Sequence, residues 1–443
     1  MKIGFFTDTY FPQVSGVATS IRTLKEELEK AGHEVFIFTA TEKNIKVDED
    51  PTIVRLPSVP FIAFTDRRMV YSGLNTAYQI VKEHHLDIIH THTEFVMGTF
   101  GYMIARELGI PIVHTYHTHY EDYVHYIAKG RLIKPSMVKY FVKDYLRNYD
   151  AVICPSRIVQ NILDGYQVMI QKRIIPTGIE LNQYLRPDLT KEDVMRLRAD
   201  LGIKESDTML LSLSRISYEK NIQAVLKALP QVLKETPDLT LVVVGDGPYL
   251  PDLKDQVRDL GIEDSVRFTG MVEQSQTALY YKAADFFISA STSETQGLTY
   301  TESLASGTPV IAHGNPYLDD LIDQPMFGCL YYDEEQLAET IIKAITTTPQ
   351  MSQMQLDDKL YSISAEQFGK SVYELYLDLI ISKDYKVERS SFFRDSKRKY
   401  THITVMRQTM SAPSRVVKGT AKTSVRMLKT PKRLVDSLRD FFD

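Results

Sequence analysis

Short apolar runs of strand length alternate with stretches whose apolar positions recur every three or four residues, over most of the chain. Runs of the first kind predict strands and runs of the second predict helices, so the alternation predicts βα units around parallel sheets. The first strand is expected at Lys2–Asp8. A loop with Pro12 and Gly16 follows, then a helix with Val17, Ile21, Leu24 and Leu28 on one face and Gly32 just past its end. Further strands are expected at 34–40, 52–56, 87–92, 110–117 and 151–155, with a last short one at 174–178. Residues 179–205 are polar, contain Pro187 and read as a linker. A second βα series then opens, with strands expected at 208–214, 239–245, 265–270, 285–290 and 309–312. Residues 365–381 are periodic as a helix.

The fold expected is α/β. It comprises a first Rossmann-like domain over 1–178, the linker, a second Rossmann-like domain over 206–364, a helix over 365–381 and a tail over 382–443. Two doubly wound domains place a ligand cleft at the carboxyl ends of their strands.

Charge changes this picture at the C-terminus. The net charge of −5 over 443 residues hides 16 Lys and Arg against 6 Asp and Glu after residue 382, a net of +10 that leaves −15 for the rest. Val416, Val417, Val425, Leu428, Leu434, Leu438, Phe441 and Phe442 lie among these basic residues at helical spacing, interrupted by Pro431. An asymmetry of this size suggests a charged partner. No stretch reaches the roughly 18–20 apolar residues of a membrane span, and the opening apolar run is too short for a signal peptide. Any membrane contact is therefore expected to be peripheral. The two cysteines, Cys154 and Cys329, are too few for a disulfide framework, as suits a reducing cytoplasm.

Candidate chemistry sits in loops that follow expected strands. Gly245-Asp246-Gly247-Pro248 lacks the third glycine of a dinucleotide fingerprint, and no Walker-type lysine follows a glycine-rich loop. Arg215 and Lys220, entering a helix after the strand 208–214, are placed to clamp a diphosphate; the alternative is a solvated surface pair. Glu294 and Glu302 flank Gly297, Leu298 and Thr299 across a strand-to-helix turn. There helix N-terminal amides suit phosphate and carboxylates suit ribose and sugar hydroxyls. The alternative is a pair of ordinary acids at a helix start. His114, His117, His119 and His125 lie at the end of the expected strand 110–117 and just after it, without a usual zinc spacing. One histidine touching substrate fits better than a metal. Gly16 opens the first helix, either to admit a phosphate-bearing ligand or as a simple turn residue. Asp48-Glu49-Asp50 reads as a solvated loop.

Together these residues resemble family 4 of the retaining glycosyltransferases, which have the GT-B fold, over residues 1–381. The most specific element is the E-x7-E pair Glu294 and Glu302, preceded by Arg215 and Lys220. Phe5–Pro12 with Gly16-Val17-Ala18, and His117 within His114-Thr115-Tyr116-His117-Thr118, match the family's glycine loop and sugar-contacting histidine. The resemblance implies a UDP-sugar donor and no required metal or other cofactor. Arg215 and Lys220 would bind the diphosphate, and Glu302 the ribose. Glu294, with Gly297, Leu298 and Thr299, would hold sugar and phosphate. Gly16, Gly245, Asp246 and Val272 would lie near the donor. His117, Glu294, Arg215 and Lys220 form the expected catalytic set, with no nucleophile named.

The chain is further similar to the diacylglycerol glucosyltransferases of Gram-positive bacteria, which make the glucolipid anchor of lipoteichoic acid. That similarity implies UDP-glucose as donor, 1,2-diacylglycerol as acceptor and an anionic surface on the cytoplasmic face of the cell membrane. Tyr116, His119, Tyr120, Tyr123, Tyr126, Lys129, Arg131 and Lys134 are the expected acceptor and membrane contacts. Lys139 and Lys143 follow them among Met137 and Phe141, a basic amphipathic pattern. Tyrosines at helical spacing also fit a core. A second-step enzyme acting on a monoglycosyl lipid, a soluble acceptor and a non-catalytic scaffold stay open. No RNA-module motif or stacking pattern supports a nucleic-acid partner.

Overall fold

A computed structural model describes residues 1–13, 15–42, 50–61, 64–117, 135–292, 294, 296–347 and 353–382. Two parallel sheets organise it. The first contains β1 (Lys2–Phe6), β2 (Glu34–Ala40), β3 (Ile53–Leu56), β6 (Ile88–Thr91), β7 (Ile112–Thr115), β8 (Ala151–Cys154) and β9 (Gln171–Ile174), in the order β3-β2-β1-β6-β7-β8-β9. The second contains β10 (Thr208–Leu213), β11 (Leu239–Val244), β12 (Val266–Gly270), β13 (Phe286–Ser289), β14 (Val310–His313) and β15 (Gly328–Tyr331), in the order β12-β11-β10-β13-β14-β15. Every pairing within these sheets is parallel.

Strands covered on both faces read as continuous apolar runs, because helices lie above and below a parallel sheet. Leu239–Val244 is buried at all six positions, and Ile88–Thr91 at all four. The expected strands are therefore present within a few residues. The last strand of the first sheet is the exception: it covers Gln171–Ile174, ahead of the expected 174–178. It is an edge strand with mostly exposed side chains, so its polar sequence hid it. A hairpin of β4 (Ser58–Phe61) and β5 (Phe64–Val70), and β15, have no counterpart in the sequence reading.

Residues 179–205 are not an extended linker. They carry helices Asn182–Leu185 and Lys191–Asp200, the latter started by a Thr190–Asp193 capping box. Ile179, Tyr184 and Ile203 are buried in the core of the second domain. Arg198 is fixed there too, donating to the Ala283 carbonyl at 2.7 Å and lying 3.3 Å from the Asp285 carboxylate.

The helix Ala365–Ser382 returns to the first domain. Phe368, Val372, Leu375, Tyr376 and Leu379 share a core with Ile3, Phe5, Leu24 and Leu28. The chain thus crosses between domains at two adjacent points. Ile179 donates to the Ile363 carbonyl at 3.0 Å and accepts from Ala365 at 2.8 Å.

Candidate active site

Strand order reverses beside β1 in the first sheet, between β1 and β6, and beside β10 in the second, between β10 and β13. Loops leaving such neighbours at their carboxyl ends diverge and open a crevice. The singled-out residues lie on those loops. Arg215 and Lys220 follow β10 and Glu294 follows β13. Gly16 follows β1, while His117 follows β7, next to β6.

Within the second domain, Lys220 and Glu294 form a direct ion pair, with side chains 24% and 21% exposed. Arg215 is exposed on the same loop. Gly297, at φ +78°, precedes the helix Leu298–Ala305 and supplies no capping side chain. The helix thus begins at Leu298 and Thr299 without a side-chain acceptor at its cap, the geometry that favours anions. A Cβ on Gly297 would fall 2.5 Å from the Tyr300 ring.

Glu302 lies one turn into that helix. Its carboxylate accepts from the Tyr281 hydroxyl at 3.0 Å, and the Tyr184 hydroxyl also bonds to it. Burial raises its pKa, and the two hydroxyls only partly offset this. Tyr184 comes from the segment read as a linker, and nothing in its polar surroundings marked it. Val272 is partly buried at the start of the loop after β12.

Gly245 and Asp246 follow β11 and interlock with the Arg215 loop. Ile216 donates to the Asp246 carbonyl at 2.9 Å, and Gly245 donates to the Gly270 carbonyl at 2.9 Å. Gly245 has φ +136°, and a Cβ there would stand 1.9 Å from the Ser214 carbonyl oxygen. Gly245→Ala is expected to lower stability by more than the roughly 1–3 kcal/mol of backbone strain alone. Gly16 contrasts with it, because a Cβ there meets nothing within 4 Å. Gly16→Ala is expected to leave the melting temperature unchanged or slightly higher. Loss of donor affinity in that variant would then report a ligand, not the fold. Thermal unfolding of both variants beside nucleotide binding separates the two roles.

The first domain contributes a buried histidine network. His90 bonds the Tyr376 hydroxyl at 2.6 Å and Thr115 Oγ1 at 2.7 Å. His114 bonds Thr91 Oγ1 at 2.7 Å, and its Nε2 lies 3.2 Å from Glu94. His117 Nε2 lies 3.2 Å from His92 Nδ1, with the rings stacked at 5.5 Å. One imidazole donates and the other accepts, so both cannot be protonated there. Burial, reinforced by His114, lowers the His117 pKa to about 3. His90 and His92 are likewise held well below their ordinary value by burial. His92 was read only as the end of a strand. Among the described residues no three His, Cys, Asp or Glu side chains converge as a metal-ligand set.

One expectation needs correction. Tyr116 is not an acceptor or membrane contact. Its amide donates to the Ile153 carbonyl at 3.1 Å, which extends the β7–β8 pairing, and its side chain is fully buried in the first domain's core. The helix Pro135–Leu146 turns part of its apolar spacing inward. Val138, Val142 and Leu146 are buried in the domain, while Lys139 and Lys143 bond Gly165 and Gln167. Its spacing of apolar residues served the core. His119, Tyr120, Tyr123, Tyr126, Lys129, Arg131 and Lys134 lie outside the described residues.

The comparisons with known proteins agree with this geometry. Residues 14–183 match the family model Glycosyltransferase Family 4, and residues 193–357 match Glycosyl transferases group 1. The alpha-monoglucosyldiacylglycerol synthase of Streptococcus pneumoniae is 60% identical over 442 residues, covering 100% of this chain and 99% of that protein. The protein of the same name from Acholeplasma laidlawii is 32% identical over 401 residues, covering 88% and 100%. Anabaena Alr3699/HepE in complex with UDP superposes with a TM-score of 0.66 at 18% identity, over 85% of this chain and 100% of that one. Sucrose-phosphate synthase from Thermosynechococcus elongatus gives 0.68 at 22% identity, over 86% and 100%. These two speak to the fold alone. The chain belongs to the family 4 glycosyltransferases of GT-B fold, in the group that holds the alpha-monoglucosyldiacylglycerol synthases.

Proposed function

We propose that this chain transfers glucose from UDP-glucose to 1,2-diacylglycerol with retention, giving alpha-monoglucosyldiacylglycerol at the cytoplasmic face of the membrane. Full-length identity of 60% to the pneumococcal synthase supports the substrate pair. The observation that carries the chemistry is the Lys220–Glu294 pair at the switch point of the second sheet.

Donor binding brings a diphosphate to Arg215 and Lys220. The phosphate then competes with Glu294 for the ammonium and releases the Glu294 carboxylate toward the sugar hydroxyls. The amides of Leu298 and Thr299 face the same charge, which grows on the leaving phosphate as the glycosidic bond breaks. Glu302, oriented by Tyr281 and Tyr184, accepts from ribose hydroxyls. Gly16, Gly245, Asp246 and Val272 line the donor's remaining length.

On the acceptor side, His117 stays neutral and acts as a hydrogen-bonding contact to the sugar. The leaving phosphate takes the proton from the glycerol hydroxyl on the donor's own face, so no protein nucleophile is needed. The cations supply the counter-charge, and the reading requires no bound metal.

No helix among the described residues is long and apolar enough to cross a membrane. Surface attachment is assigned to Lys129, Arg131 and Lys134 and to the basic residues after Ser382. Each basic residue that reaches an anionic surface contributes about 1 kcal/mol.

The test is transfer of radiolabelled sugar from UDP-glucose, beside UDP-galactose, to diacylglycerol in vesicles with and without anionic lipid and with chelator. A glucolipid that needs anionic lipid and forms in chelator is expected. Transfer only to a preformed glycolipid or to a soluble acceptor would keep the family and discard the acceptor.

A further inference from the structure

Between the two donor-loop residues Glu294 and Gly297 sits Gln296, whose side chain is buried. It is 5% exposed, and it crosses the domain boundary. Its Oε1 accepts from the Thr177 amide at 2.9 Å, and its Nε2 donates to the Thr177 carbonyl at 2.7 Å. Thr177 belongs to the end of the first domain. Its Oγ1 lies 2.9 Å from Ser20 Oγ, inside the helix Gly16–Lys30, one turn after Gly16. Ser20 and Thr177 are themselves buried, at 3% and 5% exposure. The Tyr317 hydroxyl of the second domain also bonds Gln296.

A primary amide gripping both the N–H and the C=O of one residue reproduces a backbone bridge with a side chain. Only a donor and an acceptor at this reach can do it. Glutamate offers two acceptors, one of them turned against the Thr177 carbonyl, and leucine offers neither group. Buried amides left half satisfied are costly, so the contact favours one relative position of the two loops. Three hydrogen bonds therefore run from the donor loop, through Thr177, to the helix that begins at Gly16.

We propose that Gln296 is a positioning residue that registers the donor loop against the acceptor-side domain, setting the closed arrangement in which transfer occurs. This rests on the donor assignment above. The groups assigned to the diphosphate and ribose, Arg215, Lys220 and Glu302, all belong to the second domain, and Gly16 alone reaches the donor's nucleotide from the first, so losing the bridge leaves most of the nucleotide binding in place. Losing it displaces the sugar relative to His117 and the acceptor, and small displacements between reacting groups cost about 10²-fold in rate.

The test uses the full chain with Gln296→Leu and Gln296→Glu, and with Ser20→Ala, which breaks the same path far from the donor loop. UDP affinity, KM for UDP-glucose and kcat are measured on anionic vesicles, with solution scattering in saturating UDP. The Gln296 variants are expected to keep UDP affinity within about threefold while kcat falls about 10²-fold. Ser20→Ala is expected to lower kcat less, again at constant UDP affinity, and the Gln296 variants to scatter as less compact particles than the wild type. Unchanged kcat would overturn the proposal, as would UDP affinity falling in step with kcat, the mark of a collapsed donor loop. Should Gln296→Leu fail to fold, Gln296→Glu and Ser20→Ala decide. If the wild type gives no glucolipid, the proposed function fails, and compactness in UDP still decides the role of Gln296.

Discussion

Lys220→Ala is expected to lower glucosyl transfer by about 10²–10³-fold, the usual cost of removing one pre-aimed group at a developing charge. Two losses combine in it. The leaving diphosphate loses an ammonium, and Glu294, 21% exposed, loses its partner. A carboxylate left so enclosed repels the incoming phosphate, which adds a ground-state penalty to the transition-state one. Both kcat and KM for UDP-glucose should therefore worsen. Glu294→Gln in the Lys220→Ala background removes that repulsion and should recover KM but not kcat. Lys220→Arg is not a conservative replacement, because a planar guanidinium replaces a compact charge that meets Glu294 at close range. Steady-state kinetics of the four proteins on anionic vesicles give the answer. A Lys220→Ala loss below about threefold would mean that the pair is a surface feature without a role in transfer.

Mild acid should unfold the protein before carboxylate titration begins. His90, His92 and His117 are held neutral in the fold by burial, while each takes a proton near pH 6.5 once unfolded. Their folded pKa values are depressed. The unfolded chain therefore binds more protons below pH 6.5, and stability is lost as pH falls from there toward the folded values, about 3 for His117. Each such group costs about 1.4 kcal/mol per pH unit inside that window. Three together approach about 4 kcal/mol per unit, against a total stability of about 5–15 kcal/mol. Glu302 acts in the opposite sense, since its raised pKa lets the fold bind a proton more readily. Urea midpoints between pH 7.5 and 5 should fall steeply, and His92→Leu should flatten the slope. A midpoint independent of pH over that range would mean that these rings are protonated inside the fold. The same burial keeps His117 neutral at the pH of catalysis, so no bell-shaped rate profile should carry its titration.

The parallel architecture was readable because strands buried on both faces cannot alternate. Leu239–Val244 shows this without interruption. What escaped has equally physical causes. The hairpin Ser58–Val70 holds Pro60 and a run of Asp66, Arg67 and Arg68, residues that argue against strand wherever sheet membership is internal. Helices Asn182–Leu185 and Lys191–Asp200 are polar because they bury only a few side chains, Tyr184 and Arg198 among them, against an existing core.

Candidate-site residues followed the same division. Lys220, Glu294 and Glu302 stood out because charged groups rarely cluster at strand ends without purpose. Tyr184, Tyr281 and His92 did not, since an aromatic or imidazole ring in sequence looks the same whether it orients a ligand contact or fills a core. The converse error was Tyr116, since a tyrosine at helical spacing fits a membrane belt and a core equally.

The return of the helix Ala365–Ser382 to the first domain decides which body the chain's end belongs to. The +10 stretch follows a helix of the first domain's core, not of the domain that carries Lys220 and Glu294. If the tail grips the bilayer as proposed, it moors the first domain. The second domain joins it through two adjacent backbone crossings and the Gln296–Thr177 bridge. On that reading the second domain would discharge UDP and reload from the aqueous pool while the moored half keeps its footing. The enzyme would then search for its next lipid by lateral diffusion in two dimensions, and its residence time on the membrane would be independent of its catalytic cycle.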